Sequence, residues 1–317
     1  MVKNGLELCE SNKKWDDFCF ESSNGTPFCQ TWFIESVSKN SIKYFWYEDG
    51  EIAASILLQM KDGIPFQPPF SIHQSICFSS SIDKLPNEER TRIHYKLLDS
   101  IIIDITKKYK RLSLSLHPDI IDIRPLQWHN YHNSELGKFR INLRYTAIRS
   151  LLNFKNIDVL LEEIRKDRKA DYKKFLKSNI KIENKVDIDT FLDLYKMTFE
   201  RQNHDVDEQS LDCIRLILEK ITPKLGFMLT AKLADDTPIS STVILLGNHQ
   251  AHSLFTANNP EYRKLGANSA LVVEAMMICE NLGIDEFDFV GANSPNRADF
   301  KISFNCELRS YFEANLE

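Results

Sequence analysis

Residues 48–58 read EDGEIAASILL, and residues 235–245 read DDTPISSTVIL. Laid side by side without a gap, each is an acidic turn, an isoleucine, three small residues and three aliphatic ones. Asp49-Gly50 is a strong hairpin signal, because a tight two-residue turn needs positive φ, and Asp235-Asp236 is a weaker version of it. A strand-like segment precedes each turn, IKYFWY at 42–47 and FMLTAKL at 227–233. The match continues downstream. After an irregular stretch, residues 86–110 form a long helical segment opened by Pro86 and an acidic first turn, followed by the strand RLSLSL. In the second half, NSALVVEAMMICENLG at 268–283 is an apolar helix closed by Gly283, followed by the strand EFDFVG. The intervening residues 155–221 read as mostly helical and include the basic stretch EEIRKDRKADYKKFLKS. One α/β unit is therefore written twice, with domains expected at 1–150 and 151–317.

Bulk properties fit two packed domains. The chain has 317 residues, 43% hydrophobic and 27% charged, enough apolar material for two cores. A net charge of −5 argues against a protein that coats nucleic acid or anionic membrane, although a local basic site is compatible with it. The N-terminus lacks an apolar signal core, and Asp99 and Asp104 interrupt the longest apolar run, so a cytoplasmic chain without a membrane span is expected. The seven cysteines are odd in number and scattered, the pattern of reduced thiols rather than of a disulfide scaffold or zinc site. His129 and His132 stand at i, i+3 without a third ligand, and no metal is expected. No Walker loop, dinucleotide fingerprint or G-x-S-x-G elbow is present.

Ahead of the apolar helix lies RKLGAN, Arg263 to Asn268, directly after the strand AHSLFTA. A glycine loop entering a helix offers backbone N–H groups to an anion, and Arg263 or Lys264 adds charge at the rim. Asn268 or Ser269 is placed to cap the helix. The plain structural account, a turn at Gly266 and a cap at Asn268, stands beside this one. The first copy carries the opposite chemistry at the same place: Pro86, Glu88 and Glu89 would repel a phosphate.

The ordered set of segments resembles the GNAT acyltransferase fold in tandem, specifically its FemAB-like (CelD/BioF2-like) branch of N-acyltransferases. Three stretches carry the likeness: the paired hairpins; FTANNPEYRKLGANSALVVEAMMICENLGIDEFDFVGANS; and NRADFKISFNCELRSYF, similar to an FK-x-x-F-G closure. RKLGAN fits the [Q/R]-x-x-G-x-[G/A] loop except for Asn268, Asn305 stands where the closure often has Gly, and Phe300 stands near a position often held by a proton-donating Tyr. The resemblance implies two GNAT-like domains, each a mixed, mostly antiparallel sheet flanked by helices. It also implies an acyl-CoA donor, with no metal, on the second domain. The diphosphate would lie against Arg263, Lys264, Leu265, Gly266, Ala267, Asn268 and Ser269, and the pantetheine arm along Phe255, Thr256 and Ala257. The thioester would lie near Asp288 to Asn293.

Direct attack by a primary amine needs a route for its proton. His73 and Asp288 are the candidate catalytic residues, each with an ordinary packing role as the competing account. Glu200, Arg201 and Gln202 at the end of a helix, with Phe70 and Gln74 in the first copy's irregular loop, are the candidate acceptor contacts. The basic helix is expected to turn Ile164, Tyr172 and Leu176 inward and leave its charges in solvent. The acceptor implied by the resemblance is a small molecule, a nucleotide-linked amino sugar of surface polysaccharide synthesis, with no nucleic acid involved. Aminoacyl-tRNA-dependent bridge formation and a non-catalytic binding module are the alternatives.

Overall fold

The computed structural model describes residues 3–152, 156–201 and 205–317. The chain divides into two units, Met1–Arg144 with Ser310–Glu317, and Tyr145–Arg309. Unit 1 contains β1 (Gly5–Leu8), α1 (Asn12–Glu21), α2 (Thr31–Val37), β2 (Ser41–Glu48), β3 (Glu51–Lys61), β4 (Ile64–Phe66) and β5 (Ile76–Phe78). It continues through α3 (Ser80–Asp83), α4 (Asn87–Lys108), β6 (Leu112–Ser115), α5 (Arg124–Gln127) and the first half of β7 (Phe139–Ser150). Unit 2 takes the rest of β7, then α6 (Ile157–Glu163), α7 (Lys166–Lys177), β8 (Lys181–Asn184), α8 (Ile188–Glu200) and α9 (Glu208–Lys220). It is completed by β9 (Gly226–Lys232), β10 (Pro238–Leu246), β11 (Gln250–Asn258), α10 (Ala267–Asn281), β12 (Glu286–Asp288), α11 (Pro295–Ile302) and the start of β13 (Glu307–Leu316).

Both hairpins form where the sequence places them. β2 pairs antiparallel with β3 around Asp49 and Gly50, both at positive φ, and β9 pairs with β10 around Asp236, also at positive φ. Aspartate tolerates this conformation better than most residues, which is why acidic residues stand at both turns. The expected boundary at 150 is displaced. The chain changes unit inside β7 at 144/145, and residues 310–317 belong to unit 1, where β13 pairs antiparallel with β6 from Glu313↔Ser115 to Leu316↔Leu112. Assigning 151–317 to one domain missed this return.

In unit 1 the sheet order is β1-β2-β3-β4, with β5 also on β3. Alternation along β3 sends Ile56 and Leu58 to a core under α4 (Leu97, Leu98, Ile101, Ile102, Ile105). Leu57 points to a second core with Trp15, Cys19, Cys29, Ile34, Phe45 and Cys77. In unit 2 the order is β7-β12-β11-β10-β9-β8, all antiparallel except β11 with β12. α10 is mostly apolar and buries Ala267, Ala270, Leu271, Val272, Val273, Ala275, Met276 and Cys279 in the core, with Glu274 and Glu280 only partly buried. Gly283, at φ 78, closes it: the Gly283 N–H donates to Glu280 O and the Ile284 N–H to Cys279 O. On α7, Ile164 just before it and Tyr172 are buried as expected, but Phe175 takes the third inward place and Leu176 is 63% exposed. All seven cysteines are free thiols.

Phe287 is fully buried on β12, its ring against Phe289. Phe287→Ala is expected to cost about 3–5 kcal/mol of stability, read as a lowered urea midpoint with an unchanged slope.

Candidate active site

The parallel pairing of β11 with β12 covers only Gln250↔Glu286, Ala251↔Phe287 and His252↔Asp288. Beyond it β12 ends, while β11 continues to Asn258 along β10. A register shift between Val243 and Ile244, opposite Phe255 and Ser253, leaves Leu254 as an extra residue at this same point. The edge of β11 from Ser253 to Ala257 thus faces a gap with no strand partner among the described residues, and at Asn258 it is closed by Thr198. An unpaired edge is a ready template for an extended amide-containing ligand.

Three helices border the gap. α8 lies over β11: Phe191 and Tyr195 stack around the buried Phe255, and the Asn258 N–H donates to Thr198 Oγ1 at 2.7 Å. α11 contributes Arg297, whose guanidinium lies 5.8 Å from the Phe199 ring, and Phe300, which lies under the Arg168 guanidinium at 5.1 Å. A 3₁₀ turn, Pro260–Leu265, then leads through Gly266 into α10.

Gly266 stands at φ 79, and a Cβ there would lie 2.3 Å from the carbonyl oxygen of Asp171. The glycine is therefore required by the packing of α7 against the loop, whatever else it does. No side chain caps α10, so neither Asn268 nor Ser269 acts as the expected cap. The Ser269 hydroxyl donates instead to Asp171 (2.9 Å) and accepts from Arg168 (2.9 Å), while Asn268 Oδ1 is buried without a hydrogen-bond partner. The first N–H groups of a helix have no intrahelical acceptors, so this uncapped start keeps donors available to an anion. Lys264 and Arg263 are exposed, Leu265 packs against the core, and Ala267 is buried.

Charge at the rim is arranged unlike the sequence expectation. Arg165 and Arg168 are committed to a network with Asp167, Asp171 and Asp299, and Arg165 with Arg168 holds the Asp167 carboxyl well below its usual range. Arg201, expected on the acceptor side, follows α8, close enough to Arg263 that partial burial and the Arg201 charge together lower the Arg263 pKa. Neither guanidinium faces a carboxylate among the described residues. Two unneutralised cations held close at the end of β11 favour an anion between them. Glu200 is exposed beside them, and Gln202 lies outside the described residues.

The catalytic candidates fare differently. Asp288 is fully buried, its carboxylate held by the Thr146 hydroxyl, by the Val290 N–H at 2.7 Å and by His252 Nδ1 at 3.6 Å. In this conformation it organises the base of the gap and does not line it. Asn293, expected on the cofactor, bonds both backbone groups of Tyr145 through its amide (2.8 and 3.0 Å) and so prolongs the β7 pairing. His73 belongs to unit 1, buried at φ 51 with its ring 4.5 Å from Tyr311 and 5.6 Å from His117. Beside it Phe70 stands at φ 63, and the buried Gln74 donates its N–H to Ser115 O. Two non-glycine residues at positive φ mark this loop as strained. Among the described residues no cluster of His, Cys, Asp or Glu is placed to hold a metal ion.

A residue the sequence did not assign occupies the centre of unit 2. Lys301, within the FKISF closure, is partly buried and donates to three successive carbonyls, Phe289 (2.6 Å), Val290 (2.9 Å) and Gly291 (2.6 Å). Burial lowers its pKa to about 8, against the attraction of Asp288.

This geometry is that of a GNAT-like fold: a mixed sheet splayed between two parallel strands beside a helix start, flanked by helices. Residues 163–301 match the family model described as Acetyltransferase (GNAT) domain. Among solved structures the chain resembles FemX, with 17% identity, 96% of each chain covered and a TM-score of 0.67. It also resembles L-PGS from Bacillus licheniformis, with 13% identity, 98% and 93% covered and a TM-score of 0.56. A third is a tandem GNAT protein from the clavulanic acid biosynthesis pathway, with 8% identity, 98% of each chain covered and a TM-score of 0.50. At these identities the likeness is one of fold. No curated protein matches the chain in sequence.

Two outcomes follow. Gly266→Ala is expected to destabilise the protein by at least about 1–2 kcal/mol through its left-handed backbone alone, seen as a lower melting temperature without any ligand. For Lys301, the free-chain pKa of about 10.4 exceeds the folded value of about 8. Between these values the unfolded chain holds more protons, so this group's contribution to stability rises with pH there. The stability of wild type relative to Lys301→Met should accordingly rise from pH 8 to pH 10 in chemical denaturation.

Proposed function

We propose that the chain is an acyl-CoA-dependent N-acyltransferase, with the donor held in unit 2. The observation that carries this is the β11 edge without a strand partner, ending at an uncapped helix start and two exposed arginines, with no carboxylate partner for either among the described residues. A pantetheine arm carries amides that fit a strand edge, and a diphosphate fits paired guanidiniums at an N-terminus. In this proposal Arg201 joins Arg263 on the donor side. A neutral primary amine attacks the thioester carbonyl and forms the C–N bond, the C–S bond breaks, the nitrogen gives up one proton, and the departing thiolate takes one up from solvent or a nearby group. α4 of unit 1 begins with Pro86, Glu88 and Glu89, a start that disfavours an anion, which supports a single donor site.

The acceptor we propose is a nucleotide-linked amino sugar, in a cytoplasmic reaction. This part rests on the sequence resemblance to acyltransferases of that kind. An aminoacyl-tRNA donor is the second proposal, favoured by the end-to-end fold likeness to FemX and by the exposed lysines of α7, Lys166, Lys173, Lys174 and Lys177.

Coenzyme A should raise the melting temperature, since a ligand at 100 times its Kd adds about 2.7 kcal/mol to the folded state. Arg201→Glu and Arg263→Glu should each weaken binding about 10- to 100-fold, the worth of a charge-assisted hydrogen bond, without lowering the ligand-free melting point. No shift with millimolar coenzyme A would sink the proposal, and a shift with tRNA in its place would select the second one.

A further inference from the structure

The segment that follows β12 adopts a conformation its sequence does not favour. Val290 stands at φ 53 and Gly291 at φ 80. For a β-branched residue a left-handed backbone is an outlier and carries strain. Extended, which is what valine prefers, Val290 would carry β12 onward beside β11. The ladder would then continue past His252↔Asp288 along Ser253–Ala257, and the gap would be filled by the protein's own strand.

What holds the chain away is a set of side chains around one turn. Asp288 accepts from the Val290 N–H (2.7 Å), and Thr146 Oγ1 accepts from the Gly291 N–H (3.1 Å). On the carbonyl side Lys301 alone gathers Phe289, Val290 and Gly291, with one ammonium hydrogen for each. Three carbonyls converging on one partly buried point need a cation or several donors, because left unpaired they would repel one another and lose solvation. The N–H groups of Phe289 and Ala292 remain on β7, bonded to Ala147 O and Tyr145 O. Ala292 rather than Gly291 meets Tyr145 O, so the left-handed pair is one extra residue opposite β7, and extending it would bring Gly291 to that carbonyl in place of Ala292.

We propose that Lys301 is a positioning residue: by binding these three carbonyls it holds Val290 in its left-handed conformation and keeps the β11 edge open for the acyl donor. The function of that opening rests on the acyl-CoA proposal above; the strained turn itself does not. Lys301 acts through the backbone and reaches the ligand only by way of the gap it maintains.

The experiment compares wild type, Lys301→Met, Val290→Gly and the double variant by backbone hydrogen exchange at Ser253–Ala257 and by titration with coenzyme A. In K301M the exchange at Ser253–Ala257 should slow at least tenfold as β12 extends, and coenzyme A affinity should fall at least tenfold. Glycine takes positive φ without strain, so K301M/V290G should return exchange and affinity to within threefold of wild type. A lysine that contacted the ligand directly, or that served only general packing, would not be rescued by a change at residue 290. Failure of that rescue, or unchanged exchange in K301M, overturns the proposal. If K301M does not fold, recovery of folding in the double variant supports the proposal and its failure refutes it. If wild type does not bind coenzyme A, the acyl-CoA proposal fails, while the exchange comparison still decides the role of Lys301.

Discussion

The candidate site depends on one short ladder. Two parallel strands share three residue pairs and then separate, and each element of the site is placed by that separation. Because β11 keeps its partner on the β10 side, its outer edge is rigid as well as open. Because β12 stops at Asp288, the chain must turn within two residues, and the groups that accomplish the turn fill the floor below the opening. Asp288, His252 and Thr146 lie buried together where the ladder ends.

Much of the architecture was legible in the chain. The hairpins were legible because turn chemistry is local: Asp49-Gly50 and Asp236 carry their conformational preference with them. α10 was legible because a helix with so many apolar residues and so few charges has to be largely interior. The failures share a different cause. Phe175 rather than Leu176 packs inward, a choice between neighbouring positions that depends on where α7 meets the core. The nearness of Arg201 to Arg263 joins elements some sixty residues apart, and no periodicity encodes it. Gly266 was singled out correctly as special, yet the Asp171 carbonyl accounts for its conservation of space without reference to any ligand. Lys301 sat in a recognised motif and went unassigned, since its partners are backbone carbonyls, which leave no mark on sequence.

The two copies of the unit have diverged most at the helix start. α4 begins with a proline and two glutamates, and α10 with a left-handed glycine and no capping side chain. The partial positive charge of a helix N-terminus is neutralised internally in the first case and left for another partner in the second. Small local substitutions therefore separate two copies that share their order of strands and helices. Asp171, bonded to Ser269, moderates the contrast by bringing one carboxylate to the edge of the α10 start, with Arg168 beside it.

The pairing of β6 with the end of β13 bears on how the molecule is made. β6 lies at residues 112–115, and its partner is roughly two hundred residues further along. During synthesis unit 1 remains an incomplete sheet, with an apolar edge at Leu112 and Leu114, until residues 310–317 leave the ribosome. N-terminal domains usually fold first as the chain emerges; here β6 meets this partner only through a segment that lies beyond the whole of unit 2.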